Sequence, residues 1–208
     1  VFYDINTKKK KLWGLSSSTS YSTEFSGLDA EVAAEIGRIF KHIGDSAMAA
    51  INVLGIDVAA SLDTFVVDIG KVSLKGLSGD EIQKELEAIF SYQADLIAKH
   101  LMPSLVEYQK VGEGAFETLM RLAQEQAVFN DALERAGLAL SRFGDIAAEM
   151  QIEIAQSIIE SSGGLEKFKE AQDAYFSNFF TKNEQFTHLQ NSLNAAFDAI
   201  GVSLPESK

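Results

Sequence analysis

Phe65, Val67 and Ile69 alternate with Val66, Asp68 and Gly70, and past Gly70 the apolar phase moves by one residue to Val72 and Leu74. Period two in branched and aromatic residues predicts a strand. The phase shift predicts either a β-bulge at Gly70-Lys71 or a strand that ends at Gly70 with a second short one after it. The period then changes. Ser78-Gly79-Asp80-Glu81 is an S-x-x-E capping box, and Ile82, Leu86, Ile89, Phe90, Ile97 and Leu101 follow mostly at steps of three or four, the apolar face of a helix. Pro103 stops or kinks that helix and is itself a favoured first residue of the next. Gly112 and Gly114 weaken the middle of this next helix and mark either close packing or a kink.

The N-terminal residues carry the same two signals. Val1 to Ile5 alternates, Lys8-Lys9-Lys10-Lys11 follows, and Leu12-Trp13-Gly14-Leu15 is apolar again, which predicts a β-hairpin with Lys near its turn. Ser16 to Ser26 reads as a loop. A capping pattern at Ser26-Gly27-Leu28-Asp29 opens a helix to about Leu54, with Val32, Ile36, Ile39, Phe40, Ile43, Ala47 and Ile51 inward and Gly55 as its C′ glycine. A short helical turn near Val58 to Leu62 leads into the β run.

After Thr118 the pattern is helical throughout. Phe116, Leu119, Met120 and Ala123 form one stripe, a helix from about Ala127 to Ala136 ends at Gly137, and another spans about Asp145 to Glu160. Leu165 to Phe180 gathers Phe168, Tyr175, Phe176, Phe179 and Phe180, and Thr181-x-x-Glu184 opens a last helix that ends at Gly201 before Pro205. A helix-Gly-apolar pattern recurs at Gly55, Gly137 and Gly201, and is either three helix C-caps or a repeated unit.

The predicted class is therefore mainly α with a small antiparallel β element (α+β): bundle-like helical packing with an N-terminal hairpin and one further strand. Two parts are expected, 1–126 with the hairpin, helix, strand and helices, and 127–208 all-helical. The 208 residues are 46% hydrophobic, enough for one sizeable core or two small ones. A net charge of -12 argues against a general nucleic-acid surface. The absence of Cys removes disulfides, thiolate metal sites and Cys nucleophiles. No apolar run reaches the length needed to span a bilayer, and no signal peptide is visible. Val1 stands directly inside a strand-like pattern, so the chain is expected to be cut from a longer polypeptide.

Candidate chemistry is sparse. Lys8, Lys9, Lys10 and Lys11 are either a solvated turn that protects a sheet edge or a contact for phosphate or an acidic partner. Trp13 either packs on the first helix or anchors a partner. His42, His100 and His188 lack metal-ligand spacing and read as core or surface histidines. No nucleophile elbow, P-loop or dinucleotide fingerprint occurs, so no catalytic, cofactor-binding or metal residues are expected. Ile158-Ile159-Glu160-Ser161 is similar to the helix-end Glu-Ser pair of soluble lytic transglycosylases, where the Glu is a general acid in an apolar cleft. That family's Gly-Leu-Met-Gln segment is missing here.

Two long stretches resemble the tail length tape measure protein of tailed bacteriophages and prophages. The first is Phe65-Val66-Val67-Asp68-Ile69-Gly70-Lys71-Val72-Ser73-Leu74-Lys75-Gly76-Leu77, continuing through Gly79-Asp80-Glu81-Ile82 to Leu86-Glu87-Ala88-Ile89-Phe90-Ser91. The second is Tyr108-Gln109-Lys110-Val111-Gly112-Glu113-Gly114-Ala115-Phe116-Glu117-Thr118-Leu119, with Ala115 where the family commonly has an aromatic residue. The Lys run with Trp13-Gly14-Leu15, the Ser/Thr-rich loop, Ser162-Gly163-Gly164-Leu165 and Asn178-Phe179-Phe180 extend the resemblance over nearly the whole chain. It implies a structural, non-enzymatic segment of a longer chain that fills the tail lumen, sets tube length and leaves ahead of the DNA. It implies no cofactor and no sequence-specific nucleic acid. The implied partners are tube, baseplate or tip proteins and copies of the chain itself, in the virion tail and, during assembly, the host cytoplasm. Two other classes compete: a peptidoglycan-cleaving domain built on Glu160, and a membrane-active module whose first helix and Phe176 to Phe180 region open and insert during infection.

Overall fold

The computed structural model describes residues 4–6, 24–26, 30–58, 71–73, 76–137 and 146–199. The expected α+β class is corrected. Among the described residues the structure is mostly helical (83%), and the small antiparallel β element expected beside the helices is not seen as part of the architecture. Extended backbone amounts to three three-residue segments, β1 (Asp4–Asn6), β2 (Glu24–Ser26) and β3 (Lys71–Ser73), paired in the order β2-β1-β3 with Ile5 opposite both Phe25 and Val72. β1 thus pairs with the last three residues of the stretch read as a loop, Glu24–Ser26, and not across a Lys turn. Segments this short make no β layer. Alternation reports a local preference for extended backbone; it does not say whether enough residues pair to build a layer. The strand at Phe65 to Gly70, the helical turn near Leu62 and the remainder of the hairpin lie outside the described residues.

Six α-helices are described: α1 (Ala30–Leu54), α2 (Gly79–Leu101), α3 (Ala115–Arg135), α4 (Ala148–Ser161), α5 (Leu165–Phe179) and α6 (Lys182–Ala199), with a 3-10 helix at Pro103–Tyr108. The chain divides into two compact units, 1–124 and 125–208, with the boundary inside α3.

In the first unit α1 and α2 pack through Ile36, Phe40 and Ile89, with Ile43, Leu77, Ile82, Leu86 and Phe90 against them. The Phe40 and Phe90 rings meet edge to face, centroids 5.2 Å apart, a geometry favoured by the ring quadrupoles. Val32, expected inward, is 46% exposed because it precedes the stretch of α1 that α2 covers. α1 ends at Gly55, φ 69°, whose N–H donates to Asn52 O while Ile56 N–H donates to Ile51 O, a Schellman closure. α2 begins in the expected box: Ser78 Oγ accepts from Glu81 N–H, and Glu81 Oε2 accepts from Ser78 N–H.

Two expectations fail between Pro103 and Arg135. The helix after Pro103 is one short 3-10 segment, because residues 109–114 form a turn around Gly112, φ 89°. Beyond it, the stripe at Phe116 and the helix expected from Ala127 are one continuous helix, α3. In the second unit Phe129 and Leu133 of α3 pack with Ala155 of α4, flanked by Ile154 and Phe168.

Candidate functional site

The residues singled out by sequence do not assemble. Lys8, Lys9, Lys10, Lys11 and Trp13 lie outside the described residues. His42 is exposed on α1 with Nδ1 3.3 Å from Ser46 Oγ, His100 is on α2, and His188 is on α6. Among the described residues no group of three or more His, Asp or Glu side chains could hold a metal ion. Glu160 stands exposed at the C-terminal end of α4, and the neighbouring Ser161 hydroxyl donates to Ile158 O.

Two polar assemblies that sequence reading missed are present, one in each unit. In the first unit Glu113 closes the 109–114 turn. Its Oε1 accepts from Arg121 Nε at 2.7 Å, and its Oε2 accepts from Arg121 Nη2 at 3.0 Å, Lys110 N–H at 3.1 Å and Thr118 Oγ1 at 3.1 Å. Arg121 Nη2 also donates to Tyr108 O at 2.7 Å. The guanidinium hydrogen bonds, joined by those from Lys110 and Thr118 and opposed by partial burial, pull the Glu113 carboxyl down to about 2.

In the second unit Arg135, near the end of α3, places Nε 2.8 Å from Asp131 Oδ2, an ion pair whose angle is not that of a hydrogen bond. Its Nη1 donates to Asp173 of α5 at 3.1 Å, and its guanidinium carbon lies 5.2 Å from the centre of the Phe176 ring. The His188 ring meets the edge of Phe176 at 5.3 Å, with Nε2 3.7 Å from Asp131 Oδ1. These groups border an open cavity of about 440 Å³, whose lining includes Phe176, Phe180, Glu184 and His188. The guanidinium is already shared between two carboxylates and a ring, and Glu184 is bound to the Thr181 hydroxyl and N–H. Chemically the arrangement ties α3 to α5 and α6. It presents no nucleophile with an adjacent base.

No family model, curated protein or solved structure matches the chain. No helix among the described residues is long and apolar enough to cross a membrane.

Proposed function

We propose that this chain is a structural, non-catalytic segment of a tail length tape measure protein, an interaction domain that engages tube, baseplate or tip proteins during tail assembly and DNA ejection. The proposal rests on the two stretches that resemble that family, Phe65 to Ser91 and Tyr108 to Leu119. One structural observation supports the anchoring role in particular: the helices end at turns and pack into two compact units instead of running on. A ruler converts residues to length at about 1.5 Å each, so the longest described helix, 25 residues, spans only about 37 Å. A segment so interrupted suits attachment near one tail end better than measurement. Its acidic surface is compatible with DNA passing without adhering. It would reside in the virion tail and, before that, in the host cytoplasm.

Mass spectrometry of purified tails from the phage or prophage that encodes the chain tests the assignment. Peptides from both units should be present in intact tails, and their absence overturns it. The competing enzyme reading is tested in parallel by zymography against peptidoglycan, with Glu160→Gln as control. A clearing that depends on Glu160 overturns the non-catalytic reading.

A further inference from the structure

Little apolar burial holds α5 and α6 to the rest of the second unit. α5 has no buried residue along its 15 positions, and no described side chain of α6 is buried. Leu165, Phe168, Gln172 and Phe176, at steps of three and four, form a half-buried stripe along α5. Phe168 packs against the Phe129, Leu133 and Ala155 cluster of α3 and α4. Phe176, two turns on, meets Arg135 and His188. Between them in sequence comes an amide, Gln172, whose Nε2 is buried with no hydrogen-bond partner. A buried donor left unpaired works against docking, and this stripe has little apolar burial to set against it.

The remaining attachment is polar and gathered at one place. Arg135 of α3 meets Asp173 and the Phe176 ring from α5, and α6 reaches the same place through His188, whose Nε2 is 3.7 Å from Asp131 Oδ1. Asp131 and Arg135 are one turn apart on α3 and paired with each other. The Asp173 side chain is 73% exposed, so salt screens its contact with Arg135. At the other end, α4 passes into α5 through Gly163-Gly164, φ 90° and 103°. Glycine crosses between positive and negative φ with no Cβ to clash, so the chain can change direction here at little cost.

We infer that α5 and α6 are a hinged arm that docks reversibly on α3 and α4, turning at Gly163-Gly164 and latched by Arg135, and that the arm opens while α3 and α4 stay folded. Opening uncovers the part of the Phe129, Leu133 and Ala155 cluster against which Phe168 packs. The device is independent of any role in a tail.

Amide hydrogen exchange of the 208-residue chain, read by mass spectrometry, tests it. Amides of α5 and α6 should exchange at least about tenfold faster than those inside α4. Arg135→Gln should speed α5 and α6 by about a further tenfold and leave α4 unchanged, and high salt should act in the same direction. Gln172→Leu removes the unpaired donor and should slow α5 by about fivefold or more, an effect in the direction opposite to general unfolding. The chain has no Cys, so spin labels at Glu153→Cys on α4 and Ser177→Cys on α5, both exposed positions, report the movement itself. Two distances are expected, the longer gaining population with Arg135→Gln. A single distance unmoved by Arg135→Gln overturns the inference. So does exchange of α5 and α6 in step with α4, or a Gln172→Leu variant whose α5 exchanges no more slowly than wild type.

Discussion

Arg121 Nε donates a 2.7 Å hydrogen bond to Glu113 Oε1, closing the turn that separates the 3-10 helix from α3. Both side chains are largely enclosed, 16% and 21% exposed, so the pair is less screened than a surface ion pair. Removing one partner leaves the other's polar atoms unpaired. Glu113→Ala should destabilise the first unit by about 1–3 kcal/mol, measured by urea denaturation.

The same carboxylate predicts an acid dependence. Its pKa falls from 4.5 to about 2 on folding. A depressed folded-state value means the unfolded chain binds the proton first as pH falls, so the contribution is fully present above 4.5 and lost between 4.5 and about 2. Denaturation curves over that range should converge for wild type and Glu113→Gln at the acid end. Curves that keep a constant separation contradict this account.

Gly114 is constrained by its neighbour and not by its φ angle. A Cβ there would lie 2.9 Å from Asp95 Oδ1, the atom that accepts the Phe116 N–H at 2.9 Å. Gly114→Ala must displace the carboxylate that caps α3. It should cost about 1 kcal/mol, similar to Asp95→Ala, and the double variant should cost less than the two together because both remove the same cap. Additive losses would show that the close approach is not what constrains Gly114.

The Ser78 box predicts a titration change. The Ser78 backbone N–H, and then its hydroxyl, hold Glu81 below its ordinary value. Ser78→Ala removes the hydroxyl and the acceptor for Glu81 N–H, so the Glu81 pKa should rise towards 4.5 in an NMR titration and α2 should lose about 1 kcal/mol. The box at Thr181 provides a second instance: Thr181→Ala should raise Glu184 in the same direction.

Around Arg135 the two carboxylates should differ. The Asp173 side chain is 73% exposed, and Asp173→Asn should change stability by less than about 0.5 kcal/mol. Asp131, 39% exposed, faces both Arg135 and His188, and Asp131→Asn should cost about 1 kcal/mol and be the more salt-sensitive. Thermal unfolding of the two variants at low and high salt compares them.

Local chemistry made much of this legible in the sequence. The boxes at Ser78 and Thr181 and the C′ role of Gly55 follow from residues within a few positions of each other. The turn at 109–114 was misread because Glu113 acts through Arg121, eight residues ahead, and the apolar stripe gives no sign of that clasp. The break expected between Ala123 and Ala127 was absent because nothing there stops a helix. Arg135 meets Asp173 across 38 positions, a pairing no local pattern encodes. The β expectation failed because alternation measures preference for extended backbone while the core was assembled by helix faces.

Deleting residues 1–208 from the tape measure protein to which we propose they belong, and measuring tail length and infectivity by electron microscopy and plaque assay, tests the central claim most directly. The account predicts tails that fail to assemble or do not infect. Tails of normal length and full infectivity without the segment would contradict it.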